Sequence, residues 1–225
     1  MRVRVNFLRP YSIFYLGHLD MKTLIERGLR RSGLPVKFTE GFNKRVKLEL
    51  GFPLSVGMVG EDEYFDFFLD EPVDASDIFN AIRTAFDSIL EIKRVKLLPY
   101  SAKAITSFEA IFTYTIFGHF EGNSSCEELS KAIQKILLSA NLFIERDGKT
   151  KDVRKFIEKI TLHKCETPSF ELISTIFYLK DGSIKMSELE GIFNNYLQIE
   201  FEYEVRKSTL IIDEGKLISP FDVSF

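Results

Sequence analysis

The order of alternating segments and helical stripes in residues 3–98 most restricts how this chain can fold. Val3, Val5 and Phe7 alternate with polar residues, which is typical of a strand with one buried face. An apolar stripe then recurs at helical spacing from Leu19 to Ser32, and Gly33 and Pro35 end it. The segments that follow are a strand at Val46–Phe52, a strand at Glu63–Leu69, a helix opened by Pro72-Val73-Asp74, and a strand at Ile92–Leu98. The order β-α-β-β-α-β predicts the split arrangement of a ferredoxin-like half.

The second half repeats this theme without detectable sequence identity to the first. Ser125 and Glu128 form a capping box before a helical stripe, and Asp147-Gly148 is a favoured two-residue hairpin turn. The other predicted elements are strands at Ser107–Phe117, Leu142–Arg146, Lys149–Val153, Phe170–Leu179, Ile199–Val205 and Leu210–Ile212, and a helix at Met186–Tyr196. We therefore predict an α+β chain of two tandem ferredoxin-like halves. The halves would span residues 1–102 and 103–225 and meet near Ser101-Ala102-Lys103-Ala104.

Composition excludes several classes of protein. The start alternates Arg and Val instead of offering the apolar run of a signal peptide, and no segment approaches the ~20 apolar residues of a membrane span. Cys126 and Cys165 lie far apart in the sequence and cannot build a disulfide framework. The sequence has no P-loop, no dinucleotide fingerprint and no spacing of Cys and His that suits a metal or an iron–sulfur cluster. It predicts a cytoplasmic protein with no metal and no cofactor of its own.

Charge is distributed unevenly although the net charge is only −3. Residues 1–50 hold eleven Lys and Arg against four acids, whereas residues 51–90 hold nine acids against Arg83. A chain polarised in this way can bind an anion on one face whatever its total charge.

The first predicted helix concentrates this basic charge. Asp20, Thr23, Arg27, Arg30 and Arg31 fall on one arc opposite the apolar stripe. Arginines so close together repel one another unless an anion relieves them, and the planar guanidinium suits phosphate. The alternative is an ordinary solvated helix face on which Glu26 pairs with Arg30.

The loop after this helix adds basic and aromatic residues. Lys37, Lys44, Arg45 and Lys47 surround Gly41-Phe42-Asn43. Glycine permits close backbone approach, Phe42 can stack on a base, and Asn43 can form hydrogen bonds to one. The alternative for Phe42 is burial in the core. A second, weaker basic cluster comprises Arg146, Lys149, Lys151, Arg154, Lys155 and Lys159.

His18 and Asp20 are the candidates for catalysis. His18 can act as a general base, and Asp20 as an acid or nucleophile. Asp20 also has a purely structural role available, because a carboxylate in the first turn of a helix interacts favourably with the helix dipole.

These same residues resemble a known family, the radical-SAM-linked bacterial proteins of unknown function. The family's motif is Ser-His-Leu-Asp, an Arg-rich helix, Leu-Pro and Glu-Gly-Phe-Asn, and the matching residues here are Gly17-His18-Leu19-Asp20, Glu26-Arg27, Leu29-Arg30-Arg31, Leu34-Pro35 and Glu40-Gly41-Phe42-Asn43. Gly17 replaces the usual Ser, and Lys44-Arg45 stand where the family tends to have Pro-His-Pro, so a role that needs that second His is missing. The resemblance implies an accessory or substrate-presenting role beside a radical-SAM enzyme, with RNA as the favoured ligand.

Three hypotheses follow. The leading one is a non-catalytic module that binds RNA or presents a substrate beside a radical-SAM partner. The second is an RNA-acting enzyme, similar to an endoribonuclease or a pseudouridine synthase, that uses His18 and Asp20. The third is a protein-interaction adaptor whose partner surface is the acidic stretch Glu61–Asp77. An open basic groove favours the first, a closed pocket around His18 and Asp20 favours the second, and scattered positions favour the third.

Overall fold

The computed structural model describes residues 1–223, which form a mixed α+β protein of two compact units. The first unit comprises Met1–Phe108 and the segment that starts at Ile211. Its elements are β1 (Arg2–Arg9), α1 (His18–Arg31), β2 (Leu48–Leu50), β3 (Val59–Phe68), α2 (Ala75–Ala85) and β4 (Glu91–Leu98). The second unit, Glu109–Leu210, begins shortly after the predicted boundary. The first unit therefore has the element order that the sequence predicts.

The first unit's sheet has the strand order β4–β1–β3–β2, with antiparallel neighbours. Val5 in the central strand lies opposite Phe65 on one side and Val95 on the other. The apolar face of β1 belongs to one buried cluster with the inner faces of α1 and α2, where Ile25 and Ile82 are fully buried. Burial of each such side chain contributes about 1.5–3 kcal/mol, so this shared core fixes α1 on the sheet.

Gly28 lets the two helices of this unit approach closely. A Cβ atom at this position would lie 2.1 Å from Cε1 of Phe86, which follows α2 and is fully buried. No real Cβ tolerates so short a contact, so the Phe86 ring occupies the space that a side chain at position 28 would need. The inner face of α1 is thereby directed inward and its polar arc outward.

The opposite face of β1 is buried as well, and it is charged. Arg2 and Arg4 lie on this face and are at most 3% exposed, and Arg9, on the helix side at the end of the strand, is 2% exposed. Arg4 donates from Nε and NH2 to the carboxylate of Asp66 at 2.9 Å each, and Arg2 donates to it from Nε at 2.8 Å. The count of eleven basic residues in positions 1–50 therefore overstates the basic surface, because these three arginines lie inside the protein.

The arginines of β1 also hold two later segments of the same unit. Arg2 donates to the carbonyl of Ala102 at 2.5 Å, and Arg4 donates to the carbonyls of Lys103 and Pro220 at 3.2 and 2.7 Å. A buried ion pair stabilises a fold only when its remaining donors also find partners. Here the backbone carbonyls supply those partners.

The second unit adds an inserted hairpin to a similar order of elements. Its elements are β5 (Glu109–Phe120), α3 (Cys126–Leu138), β6 (Phe143–Arg146), β7 (Lys149–Asp152), β8 (Ile157–Glu166), β9 (Ser169–Tyr178), α4 (Met186–Phe193) and β10 (Ile199–Asp213). The strand order is β8–β9–β5–β10, while β6 and β7 pair only with each other. The chain then returns to the first unit with the end of β10 and with β11 (Lys216–Ile218), which pairs with it.

Three predictions about the second half need correction. Cys126 and Cys165, which lie far apart in the sequence and were not expected to support a disulfide framework, form a disulfide between the start of α3 and the end of β8, with a Cα–Cα distance of 6.0 Å. β8 was not predicted, because this edge strand carries mostly polar, exposed side chains. The strands predicted at Ile199–Val205 and Leu210–Ile212 are one continuous strand, β10.

Candidate nucleic-acid interface

The solvent face of α1 forms one wall of the candidate site. Met21, Ile25 and Leu29 are buried against the sheet, which leaves Arg27 and Arg30 exposed on the opposite side. This arrangement follows directly from the helical spacing of the apolar residues. The basic face predicted for the helix is therefore present at these two positions.

The loop after α1 forms the other wall. Its base is closed by a hydrogen bond of 2.8 Å from the Thr39 N–H to the Arg45 carbonyl, and by a second bond of 3.1 Å from the Arg45 N–H to the Thr39 hydroxyl. An isolated bridge pairs Phe38 with Val46 just outside this base. The tip, from Glu40 to Lys44, is exposed. The loop is therefore short and closed at its base, with its basic residues directed into solvent.

Glu26 and Arg30 connect the loop to the helix. Arg30 donates to the Glu26 carboxylate at 2.8 Å and to the Lys44 carbonyl at 3.2 Å, and the same carboxylate accepts from the Val46 N–H at 3.3 Å. Burial acts to raise the pKa of Glu26, but the hydrogen bonds from Arg30 and Val46 and the positive charge of Arg30 and Arg45 outweigh it. The pKa of Glu26 therefore lies below its usual value. Glu26 is ionised at neutral pH, and Arg30 holds the wall in position.

Between the two walls lies an open cleft of about 500 Å³. It is lined by Thr23, Glu26, Arg27, Arg30, Phe42, Asn43, Lys44 and Arg45. Within residues 1–223, no carboxylate forms a salt bridge with Arg27, Lys44 or Arg45. The Phe42 side chain is wholly exposed, at 104% of its reference area, so the alternative of a core position is wrong. The cleft therefore combines an exposed aromatic ring with three cations that form no salt bridge within residues 1–223.

Three of the predicted contact residues lie outside this cleft. Arg31 donates to the Ala85 carbonyl at 3.2 Å. Lys47 donates to the Tyr100 hydroxyl at 2.6 Å and lies over two aromatic rings. Arg154 belongs to the second unit and donates at 2.6 and 2.7 Å to the carbonyls of Ile157 and Leu137. Each has a structural role that requires no ligand.

The rest of the second basic cluster is partly neutralised. Arg146 forms a two-pronged pair with Glu188 at 2.8 and 2.6 Å, and Lys155 pairs with Asp181. Burial acts to raise the pKa of Glu188. The hydrogen bond from Arg146, together with the positive charge nearby, outweighs burial, so the pKa of Glu188 lies below its usual value. This cluster offers less free positive charge than its sequence indicates.

The candidate catalytic residues lie at the first turn of α1, away from the cleft lining. Asp20 accepts a hydrogen bond of 3.3 Å from the Gly17 N–H, which is the structural role expected of it. His18 lines a small cavity with Arg9, Glu63 and other residues. Partial burial, followed by the positive charge of Lys22, lowers the pKa of His18, so its imidazole is neutral at pH 7.

The sequence did not indicate two features of the site. Phe38 lies beneath Arg30, with the guanidinium carbon 5.0 Å from the ring centre, and Tyr100 supports both Lys37 and Lys47. Phe38 lies eight residues after Arg30, beyond the helix, and no local pattern links the two. Tyr100 lies 53 residues after Lys47, and no local pattern links it to the loop either.

Two kinds of feature are absent from the described part of the chain, a cluster of metal ligands and a membrane-spanning helix. No three His, Cys, Asp or Glu side chains among residues 1–223 are grouped so that they could hold a metal ion. No helix in that range is long and apolar enough to cross a bilayer.

Solved structures with a similar fold share little sequence with this chain. A chain of the archaeal box H/ACA sRNP Nop10–Cbf5 complex matches with a TM-score of 0.51 and 10% identity, over 92% of this chain and 47% of that one. A chain of a Cbf5–Nop10–Gar1 complex matches with a TM-score of 0.54 and 11% identity, over 92% and 48%. An H/ACA RNP bound to a substrate RNA gives a TM-score of 0.51 at 12% identity, over 92% and 47%. The chain spans about half the length of these solved chains, and the likeness concerns the fold alone.

Comparison with curated proteins found no significant match. A family model covers most of the chain, however, from residue 2 to residue 187. This span includes α1, the loop and all the residues that line the cleft. The chain belongs to the family described as "Uncharacterized protein conserved in bacteria (DUF2344)".

Proposed function

We propose that this chain is a non-catalytic RNA-binding or substrate-presenting module of the cytoplasm that works beside a radical-SAM enzyme. The observation that carries the RNA assignment is the open cleft, where Arg27, Lys44 and Arg45 form no salt bridge within residues 1–223 and surround an exposed Phe42. Phosphate contacts from Lys and Arg supply most of the affinity of nucleic-acid binding that does not depend on sequence. An open cleft suits a long polyanion better than a small substrate that must be enclosed.

The energetics of the helix support this assignment. Neighbouring guanidinium groups repel one another, and Glu26 compensates Arg30 directly. Arg27 and Arg45 keep their full charge at exposed positions, where each can form charge-assisted hydrogen bonds to phosphate. On the helix itself, the solvated-face alternative accounts for Arg30 through its pair with Glu26, whereas Arg27 forms no such pair within residues 1–223.

The fold is compatible with the same function. We propose two tandem ferredoxin-like halves, within residues 1–102 and 103–225, because each unit contains a β-α-β-β-α-β series once the β6–β7 hairpin is set aside. The strand orders β4–β1–β3–β2 and β10–β5–β9–β8 are equivalent in the two series. The solved chains of similar fold come from RNA–protein complexes, one of them bound to a substrate RNA.

The radical-SAM partner rests on the family resemblance alone. Its motif residues include Arg27, Phe42 and Asn43, and all three line the cleft. A module that presents RNA to a partner needs an exposed ligand site, and this cleft is one. Affinity purification from native cells, with mass spectrometry of bound proteins, tests the partner separately from the RNA.

The catalytic alternative has less support. His18 and Asp20 do not line the basic cleft, and Asp20 caps α1. The adaptor alternative takes the acidic stretch Glu61–Asp77 as its partner surface, and burial of Glu63 and Asp66 reduces this surface to the exposed acids Asp70, Glu71, Asp74 and Asp77. An RNA-binding surface agrees best with the positions of these side chains.

Charge reversal within the cleft tests the proposal. We expect Arg27→Glu with Arg45→Glu to weaken binding of RNA from the source cell by about tenfold or more, because two charge-assisted contacts are lost. Both side chains are exposed, so the melting temperature should stay close to that of the wild type. The matched control is Arg83→Glu with Lys131→Glu, which makes the same charge change at exposed helix positions outside the cleft.

The outcomes separate the hypotheses. A wild-type protein that binds no RNA at physiological salt would refute the proposal. Equal losses in the cleft variant and the control would mean that binding reflects net charge and not the cleft. If His18→Ala abolished turnover of an RNA that the protein still bound, the enzyme alternative would replace ours.

A further inference from the structure

We infer that the ligand of this cleft is single-stranded RNA, and that Phe42 is the platform on which one of its bases stacks. This inference rests on the proposed RNA-binding function and specifies the class of RNA and the way it is recognised.

The exposure of Phe42 is the first observation. A phenylalanine that is 104% exposed makes no packing contribution to the fold, and its apolar surface remains in contact with water. Its position is nevertheless restricted, because the bonds between Thr39 and Arg45 close the loop on either side of it. Gly41, at a φ of +121°, gives the chain a turn directly before Phe42 that other residues rarely adopt. The loop thus presents an aromatic ring to solvent from a closed base.

The surroundings of the ring are the second observation. Arg27, Lys44 and Arg45 line the same cleft, and Asn43 lies next to Phe42 in the chain. Proteins that bind single strands combine such a basic groove with aromatic side chains, on which unpaired bases stack regardless of sequence. In a duplex the bases are already stacked in pairs and their faces are not available to a protein ring. The ring therefore favours a single strand over a duplex.

The extent of the basic surface is the third observation. A second open cleft, of about 450 Å³, lies along α1 and shares Thr23 and Arg27 with the first. Its lining includes Arg31 and also one carboxylate, Asp20. Arg27 therefore lies where the two clefts meet, with Arg31 on one side and Lys44 on the other. A flexible strand can follow this surface across the helix and place several phosphates along it.

The absence of tryptophan from the chain allows a direct test. Phe42→Trp introduces a single indole, whose fluorescence a stacked base quenches. We expect this variant to bind a fluorescein-labelled oligouridine of about 12 nucleotides with the same affinity as the wild type. In a separate titration with the unlabelled strand, the fluorescence of its indole should be quenched. Phe42→Leu, which keeps an apolar side chain but removes the aromatic face, should weaken binding by about 5- to 150-fold.

Phe143 provides the matched control. It is also an exposed phenylalanine, at 63%, and it lies on the β6–β7 hairpin outside the cleft. Phe143→Leu should leave the affinity unchanged, and Phe143→Trp should show no quenching. Because both positions are exposed, circular dichroism should give the same spectrum and melting temperature for all four variants.

Each result decides the inference. One outcome refutes stacking but leaves the charge-based function standing. In that outcome, the wild type and Phe42→Leu bind oligouridine equally well, and the fluorescence of Phe42→Trp is not quenched. Binding of a duplex as tight as that of the single strand would also overturn the inference. If the wild type binds neither oligouridine nor native RNA, the proposed function fails together with the inference. An exposed Phe42 would then be an anchor for a partner protein.

Discussion

The buried carboxylate of Asp66 supports the most specific prediction about stability. Asp66 and Arg4 have side-chain exposures of 1% and 0%, and the carboxylate also accepts from Arg2, which is 4% exposed. Asp66→Asn removes the negative charge and places an amide donor opposite two guanidinium groups. Removal of one partner from a buried ion pair typically costs about 3–5 kcal/mol, because the charges left behind stay desolvated.

We expect Asp66→Asn to lose about this much free energy of unfolding, and its melting temperature to fall by roughly 6–20 °C. Urea unfolding at pH 7, followed by circular dichroism, measures the loss. Hydrogen exchange should also become faster near Ala102 and Pro220, whose carbonyls accept from the same arginines.

The matched control is Asp70→Asn, the same substitution in an exposed pair. Asp70 lies 3.8 Å from Lys37, with side-chain exposures of 56% and 38%, so its loss should cost less than about 1 kcal/mol. If Asp66→Asn proves as mild as this control, the buried cluster does not hold the first unit together as we argue.

Three further predictions concern other parts of the chain. Cys165→Ser should lower the free energy of unfolding under oxidising conditions by about 3–4 kcal/mol, since the disulfide closes a loop with a sequence separation of 39. A reductant should destabilise the wild type by the same amount and leave the variant unchanged. Gly28→Ala should destabilise by about 1–3 kcal/mol through its clash with Phe86, whereas Gly191→Ala, also within a helix but with open space around it, should be neutral or stabilising in the same urea titration. Burial, followed by the charge of a nearby glutamate, raises the pKa of Glu204 to about 7. Between these pH values the folded state therefore keeps a proton that the unfolded chain releases. The free energy of unfolding should fall by about 1 kcal/mol as the pH rises from about 4.5 to 7. Unfolding curves measured across that range should show no such fall for Glu204→Gln.

Local patterns predicted the elements of the first unit well. The apolar residues of α1 recur at helical spacing and those of β1 alternate along the strand, and such patterns determine a helix or a strand. The hairpin at Asp147-Gly148 was confirmed as well, with φ of 55° and 70° at its two turn residues. The missing strand, β8, is an edge strand with most of its side chains exposed, so its sequence holds too few apolar residues to mark a buried face.

Features that depend on contacts between distant residues could not be predicted. Arg2 and Arg4 resemble surface charges until Asp66, far along the chain, is placed beside them. The cysteine pair is likewise formed by the return of β8 to the start of α3. In the cleft, the basic helix and the loop lie side by side, and a short connection joins them in the sequence. The structural roles of Arg31, Lys47 and Arg154 depend on backbone carbonyls and a tyrosine that no local pattern reveals.

The salt dependence of RNA affinity tests the central claim most directly. Each phosphate contact to a single strand contributes about 0.7 to the slope of log affinity against log salt concentration. We predict that Arg27→Glu with Arg45→Glu reduces the magnitude of the wild-type slope by about 1.4, and that the control pair Arg83→Glu with Lys131→Glu leaves it unchanged. An identical slope for the wild type and the cleft variant would contradict the account, because it would mean that neither arginine contacts phosphate.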